Sequence, residues 1–130
     1  MEEKYIKILK EINQNAYAPY SNFKVSAVLV TKSGNVFTGT NVENISYGAT
    51  MCAERVAIFN AVSSGEKEFD SIYLYSTNSN GKHDLTPPCG LCRQVMSEFS
   101  MDMKVIMISD KEKVIKTVKE LIPLSFDNEL

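Results

Sequence analysis

Tyr5, Ile8, Leu9, Ile12 and Ala16 fall on one face at helical spacing, which predicts an amphipathic helix over residues 2–16. The polar stretch AYAPYSNF then breaks the pattern with Pro19 and turn-forming residues. FKVSAVLVT (23–31) is rich in apolar and β-branched residues and reads as a strand. KSGN follows as a hairpin turn and VFTGT as a second strand. CAERVAIFNAV (52–62) returns to helical order, with Gly65 as a C-terminal stop. SIYLYST (71–77) is a third strand, followed by the polar loop NSNGKHDLTPP. A helix is expected to begin near Cys89 and run through RQVMSEF, since two prolines suit a helix entrance and not its interior. MKVIMIS (103–109) is a continuous apolar run, as in a strand covered on both faces. A short helix, VKELI, precedes Pro123 and the tail LSFDNEL. The order α-β-β-α-β-α-β predicts an α/β fold, a mixed sheet with helices on both faces.

The chain has 130 residues, 44% of them hydrophobic, and shows neither repeat nor linker, so one domain spanning residues 1–130 is expected. That length can bury a core without help from a metal. A formal net charge of −2 argues against a broad nucleic-acid-binding face. No apolar run approaches the roughly 18 residues of a membrane helix. The opening MEEKYIKILKEI lacks the layout of a signal peptide, so the cytoplasm is the expected compartment.

The three cysteines, Cys52, Cys89 and Cys92, change this picture most. An odd count suits a disulfide framework poorly, and close-set cysteines in a reducing compartment more often bind metal or do redox chemistry. Cys52 stands at the entrance of one predicted helix, and Cys89 and Cys92 at the entrance of another. A helix N-terminus favours a thiolate through its free N–H groups and partial positive charge. Three thiolates converging there would cradle Zn²⁺, and catalytic zinc sites use three protein ligands with a fourth position for water. Glu54, two residues after Cys52, is placed to shuttle a proton to or from such a water.

TMCAERVAIFNAVSSG followed by PPCGLCRQV closely resembles the cytidine deaminases, in their small all-cysteine zinc class. The shared pattern is a Cys or His ligand, a Glu two residues on, and P-C-x-x-C downstream. AYAPYSNFKV, NVEN and LIPLSF extend the resemblance over most of the chain. It implies a three-layer α/β/α fold with a mixed sheet of about five strands. It further implies one Zn²⁺ per chain on Cys52, Cys89 and Cys92. The reaction would convert cytidine and deoxycytidine to uridine and deoxyuridine plus ammonia, as in pyrimidine salvage. A zinc-activated water would attack C4 of the cytosine, while Glu54 carries its proton to N3 and then helps the amino group leave. A redox pair would account for Cys89 and Cys92 and leave Cys52, Glu54 and Pro88 idle. A structural zinc would need a fourth ligand, and the single histidine, His83, sits in a polar loop where solvated histidines are the rule.

Zn²⁺ with three thiolates carries net −1, which opposes ionisation of a bound water. Arg55 and Arg93 each follow a motif residue and are candidates to donate to the thiolates, Arg55 with the better support from the resemblance. The resemblance also assigns Asn41 and Glu43 to the ribose hydroxyls, and Phe23 and Ala53 to the nucleoside. Phe126 would stack on the base across a subunit boundary, with Tyr47 near that boundary. The partners implied are a nucleoside and further copies of the chain in a homotetramer with shared active sites, with neither nucleic acid nor membrane. Ser26 stands where V-G-A is usual in the family, and SYGATM before Cys52 is an uncommon wording; both bear on substrate preference and not on the reaction. Two rival functions are a zinc deaminase of a cytosine-containing antibiotic of the blasticidin S type, and a zinc-stabilised binding module. The second would have no use for Glu54.

Overall fold

The sheet is built outward from its most apolar strands. In the computed structural model, which describes residues 2–80 and 84–127, α1 (Glu2–Asn13) leads to β1 (Lys24–Thr31) and β2 (Val36–Thr40). A 3₁₀ turn (Tyr47–Ala49) precedes α2 (Ala53–Ser63), then β3 (Phe69–Thr77), α3 (Gly90–Phe99), β4 (Lys104–Ile108), β5 (Lys113–Thr117) and α4 (Val118–Leu121). The strand order is β2-β1-β3-β4-β5. β1 runs antiparallel to β2 and β3, β4 parallel to β3, and β5 antiparallel to β4. This is the expected mixed five-stranded α/β architecture.

Strand alternation sorts the apolar side chains into two layers. Val28, Val30, Tyr73, Tyr75, Ile106 and Ile108 pack with Tyr5 and Leu9 of α1. Their neighbours Ala27, Leu29, Ile72, Leu74, Val105 and Met107 pack on the other face with Ala57 and Ile58 of α2 and Met96 of α3. Each fully buried Leu or Ile contributes about 1.5–3 kcal/mol. The central strands are therefore apolar on both faces, as the unbroken run 103–109 predicts.

Ser26 belongs to the α1 layer and is fully buried, so its hydroxyl needs a partner. It donates to the Leu9 carbonyl at 2.8 Å. Beside it, Asn13 donates to the Lys24 carbonyl at 3.1 Å and accepts from Thr77 Oγ1 at 2.8 Å. These bonds pin the end of α1 to β1 and β3, and they explain why the helix stops at Asn13 and not at residue 16.

Periodicity alone misses β5. Its sequence KVIKT is short, largely exposed and bounded by lysine, the composition of a protected sheet edge. On the opposite edge, β2 approaches α2 closely at Gly39. A Cβ there would lie 2.4 Å from the Ala53 carbonyl oxygen and 2.6 Å from the Ala57 nitrogen. Only glycine lets α2 seat at this depth. No helix among the described residues is long and apolar enough to cross a membrane.

Candidate active site

α2 and α3 both begin at a cysteine. Cys52 and Cys89 are the N-caps, with extended backbone, and neither side chain caps a backbone N–H of its own helix. The sulfurs are thus free to turn toward one another. Cys92 lies in the first turn of α3 and is fully buried. Cys52 Sγ is 3.7 Å from Cys89 Sγ, and Cys89 Sγ is 3.6 Å from Cys92 Sγ. All three cysteines are free thiols, and their sulfurs lie within 4.8 Å of one another. Tetrahedral zinc with bonds of about 2.3 Å holds its sulfurs roughly 3.8 Å apart, so the cluster fits that metal. These separations are far too long for a disulfide, whose sulfurs approach to about 2.05 Å.

The electrostatics match the donor set. A hydrogen bond from Cys92, with help from Arg55 and Cys89, pulls the Cys52 thiol down to about 5. Cys92 moves the opposite way, raised by its bond to Cys52 and by burial. Arg55 donates from Nη2 to Cys52 Sγ at 3.4 Å, while its buried Nε has no partner among the described residues. Glu54, in the first turn of α2, is only 4% exposed. Burial pushes its carboxyl up to about 7, and the Cys52 charge adds to the effect. A carboxyl poised there can both take and give a proton near neutral pH.

A cavity of about 160 Å³ opens above this cluster, lined by Phe23, Val25, Asn41, Thr50, Cys52, Ala53, Glu54, Thr86, Pro87 and Cys89. Two thiols, the buried carboxyl and an aromatic ring therefore share one small, largely apolar space. A larger hollow of about 410 Å³ beside Ser33 and Glu66 contains no cysteine.

Asn41 is buried just beyond β2, and its amide is held at both ends. Oδ1 accepts the Val25 N–H at 2.9 Å, and Nδ2 donates to the Phe23 carbonyl at 2.8 Å. Glu43 lines an adjoining hollow with Tyr20, Ser21, Asn44, Tyr47 and Thr50, and Thr50 borders both spaces. Tyr47 is 78% exposed and meets Tyr20 edge-on, with centroids 6.2 Å apart. Phe126 is 84% exposed and is not among the residues lining the chain's own cavity. Its carbonyl accepts from Gln94 Nε2 at 3.0 Å.

Arg93 joins two helices through backbone carbonyls. Its Nε–H donates to the Pro88 carbonyl at 2.8 Å and its Nη1 to the Leu121 carbonyl at 2.7 Å. The guanidinium thus ties the entrance of α3 to the end of α4, and among the described residues these are the bonds it is seen to make. His83 lies outside the described residues. Sequence reasoning did not pick out Thr50, Thr86 and Pro87 as cavity walls; for the last two, the signal was adjacency to Cys89 at the helix entrance.

Residues 1–109 match the family described as the cytidine and deoxycytidylate deaminase zinc-binding region. A cytidine deaminase of Halalkalibacterium halodurans is 41% identical over 128 residues, covering 95% of this chain and 92% of that protein. A blasticidin-S deaminase of Bacillus cereus is 35% identical over 106 residues, covering 78% of this chain and 76% of the other. The crystal structure of a Burkholderia pseudomallei cytidine deaminase superposes with a TM-score of 0.88 at 39% identity, covering 97% of this chain and 99% of that one. With its thiols at zinc spacing, its buried Glu54 and these relatives, the chain belongs to the cytidine and deoxycytidylate deaminase family of zinc-dependent hydrolytic enzymes.

Proposed function

We propose that residues 1–130 act as one zinc domain that deaminates cytidine and deoxycytidine by hydrolysis, giving uridine or deoxyuridine and ammonia. The observation that carries this reading is the convergence of three thiols and one buried, proton-poised carboxyl on a single cavity. Cys52, Cys89 and Cys92 would hold the zinc, which when bound supplies a water activated for attack on C4. Glu54 would carry the protons of the reaction, accepting one from the attacking water, delivering it to N3 of the ring, and later protonating the departing amino group. Arg55 offsets the thiolate charge through its bond to Cys52.

Phe23 and Ala53 line the cavity and would contact the base, and Asn41 and Glu43 would receive the sugar. Asn41 keeps one N–H uncommitted after its bond to Phe23, enough for one hydroxyl. Phe126 and Tyr47 would complete a neighbour's site within a homotetramer. What supports this is the exposure of Ile45, Tyr47, Leu124 and Phe126, large apolar side chains that a lone chain leaves in water. The free thiols suit a reducing compartment, and we assign the enzyme to the cytoplasm.

The antibiotic-directed alternative has weaker support, since the blasticidin-S deaminase relative matches less of the chain at lower identity. An ultraviolet assay over cytidine, deoxycytidine, cytosine, the nucleotide and blasticidin S tests the proposal. The two nucleosides should turn over fastest; preference for blasticidin S or for the nucleotide would overturn it.

A further inference from the structure

The turn between α1 and β1 holds a hydrogen-bond hub that the sequence does not reveal. Asn22 adopts left-handed backbone, φ 58°, between Ser21 and Phe23. The bend lets Ser21 Oγ accept the Phe23 N–H at 3.0 Å while its hydroxyl donates to Glu43 Oε2. The N–H groups of Tyr20 and Ser21 both donate to Glu43 Oε1, at 3.0 and 3.2 Å. A carboxylate offers about four lone-pair sites. Three are taken by protein donors, which leaves one, on Oε2.

The same hub reaches the cavity. Phe23 is held at its N–H by Ser21 and at its carbonyl by Asn41. Both peptide groups of the residue whose ring lines the cavity are therefore fixed. The serine has a single proton, which goes to Glu43, and an acceptor lone pair, which goes to Phe23. The two bonds are compatible in direction and strengthen one another.

We infer that Ser21 is a positioning residue for nucleoside recognition. Its hydroxyl sets Glu43 and Phe23 in one register, so that the carboxylate presents a single acceptor to one sugar hydroxyl while the ring covers the base. This rests on the reading of Glu43 as a sugar ligand, and the test separates the two. A serine in an exposed turn touching neither metal ligand nor Glu54 leaves the chemical step alone, so its effect belongs in KM.

The experiment measures kcat, KM, zinc content and melting temperature for Ser21→Ala, Ser21→Thr, Glu43→Ala and the Ser21→Ala/Glu43→Ala double variant. Ser21→Ala should raise the cytidine KM by about ten-fold, the scale of one charge-assisted hydrogen bond, with kcat and zinc unchanged. Ser21→Thr, which keeps the hydroxyl, should restore KM. The double variant should be no worse than Glu43→Ala alone. If Glu43→Ala raises KM and Ser21→Ala does not, Ser21 has no positioning role and the sugar reading stands. A wild-type KM in Glu43→Ala sinks the sugar reading instead. Parallel losses of kcat, zinc and melting temperature in Ser21→Ala, or additive effects in the double variant, would also overturn the proposal.

Discussion

The zinc cradle and the substrate rim are built differently. In the cradle, every element is fixed by its own chain: α2 is seated by a glycine contact, Cys92 and Glu54 are buried, and Arg55 bonds Cys52. Outside the cradle, Tyr47 of the adjoining hollow is 78% exposed, and Ile45 and Phe126 are 81% and 84% exposed. Reactivity demands charges held in a dry, preorganised space, which one chain can enclose. Recognition needs only surfaces that close on the substrate, and these can be divided between chains. The groups that do chemistry are thus gathered within one copy, while large apolar side chains outside the cradle stand in water.

Substitution at Glu54 tests the cradle most severely. Glu54→Gln keeps the shape and removes the proton carrier, so turnover should fall by at least about 10²-fold with zinc retained. Near-normal turnover in a zinc-loaded variant would contradict the role given to this residue.

Gly39→Ala probes the same region through packing. The new methyl must push against backbone atoms of α2, at an expected cost of about 1–3 kcal/mol. Calorimetry should show a lower melting temperature, and turnover should drop as Cys52 and Glu54 are displaced. An unchanged melt would mean that β2 does not constrain the helix.

Phe126→Ala should leave melting and zinc alone and weaken cytidine binding by about ten-fold, within the roughly 1–3 kcal/mol typical of base–aromatic stacking. Mixing these chains with Glu54→Gln chains should restore part of the affinity once subunits exchange. A mixture that behaves as the sum of its parents, with exchange confirmed, would place Phe126 outside the neighbour's site.

The smallest effect lies in α4, which precedes the tail. Thr117 and Glu120 form a capping box, and the Thr117 N–H and hydroxyl hold the Glu120 carboxyl below its ordinary range. A lowered acid stabilises the fold fully above its unfolded value of 4.5, and that contribution is lost as pH falls through the folded value. Glu120→Gln should therefore melt slightly earlier than wild type at neutral pH, and the gap should close in acid. A gap that persists unchanged at low pH would assign the loss to something other than ionisation.

The two regions also differ in how far the sequence discloses them. Cys52, Glu54 and the Cys89–Cys92 pair are local motifs at helix entrances, where proline and cap positions mark the geometry in advance. β1, β3 and β4 announce themselves through apolar runs, and β2 through the hairpin turn before it. β5 does not, because an edge strand carries lysine where a core strand carries valine. Arg93 follows a ligand in sequence, yet its direction from the helix sends it to Pro88 and Leu121. Ser21 and Glu43 are 22 positions apart and look like loop residues until the fold joins them. Contacts between distant loops leave no period to read.

The topology has a further consequence. α2 is the connection that enters β3, and α3 is the connection that leaves it. β3 lies at the centre of the sheet, between β1 and β4. Any local unfolding that frees β3 therefore pulls the two cysteine-bearing helix ends apart. Hydrogen exchange at β3 amides and metal release should then follow the same opening event, making the central strand the gatekeeper of the metal.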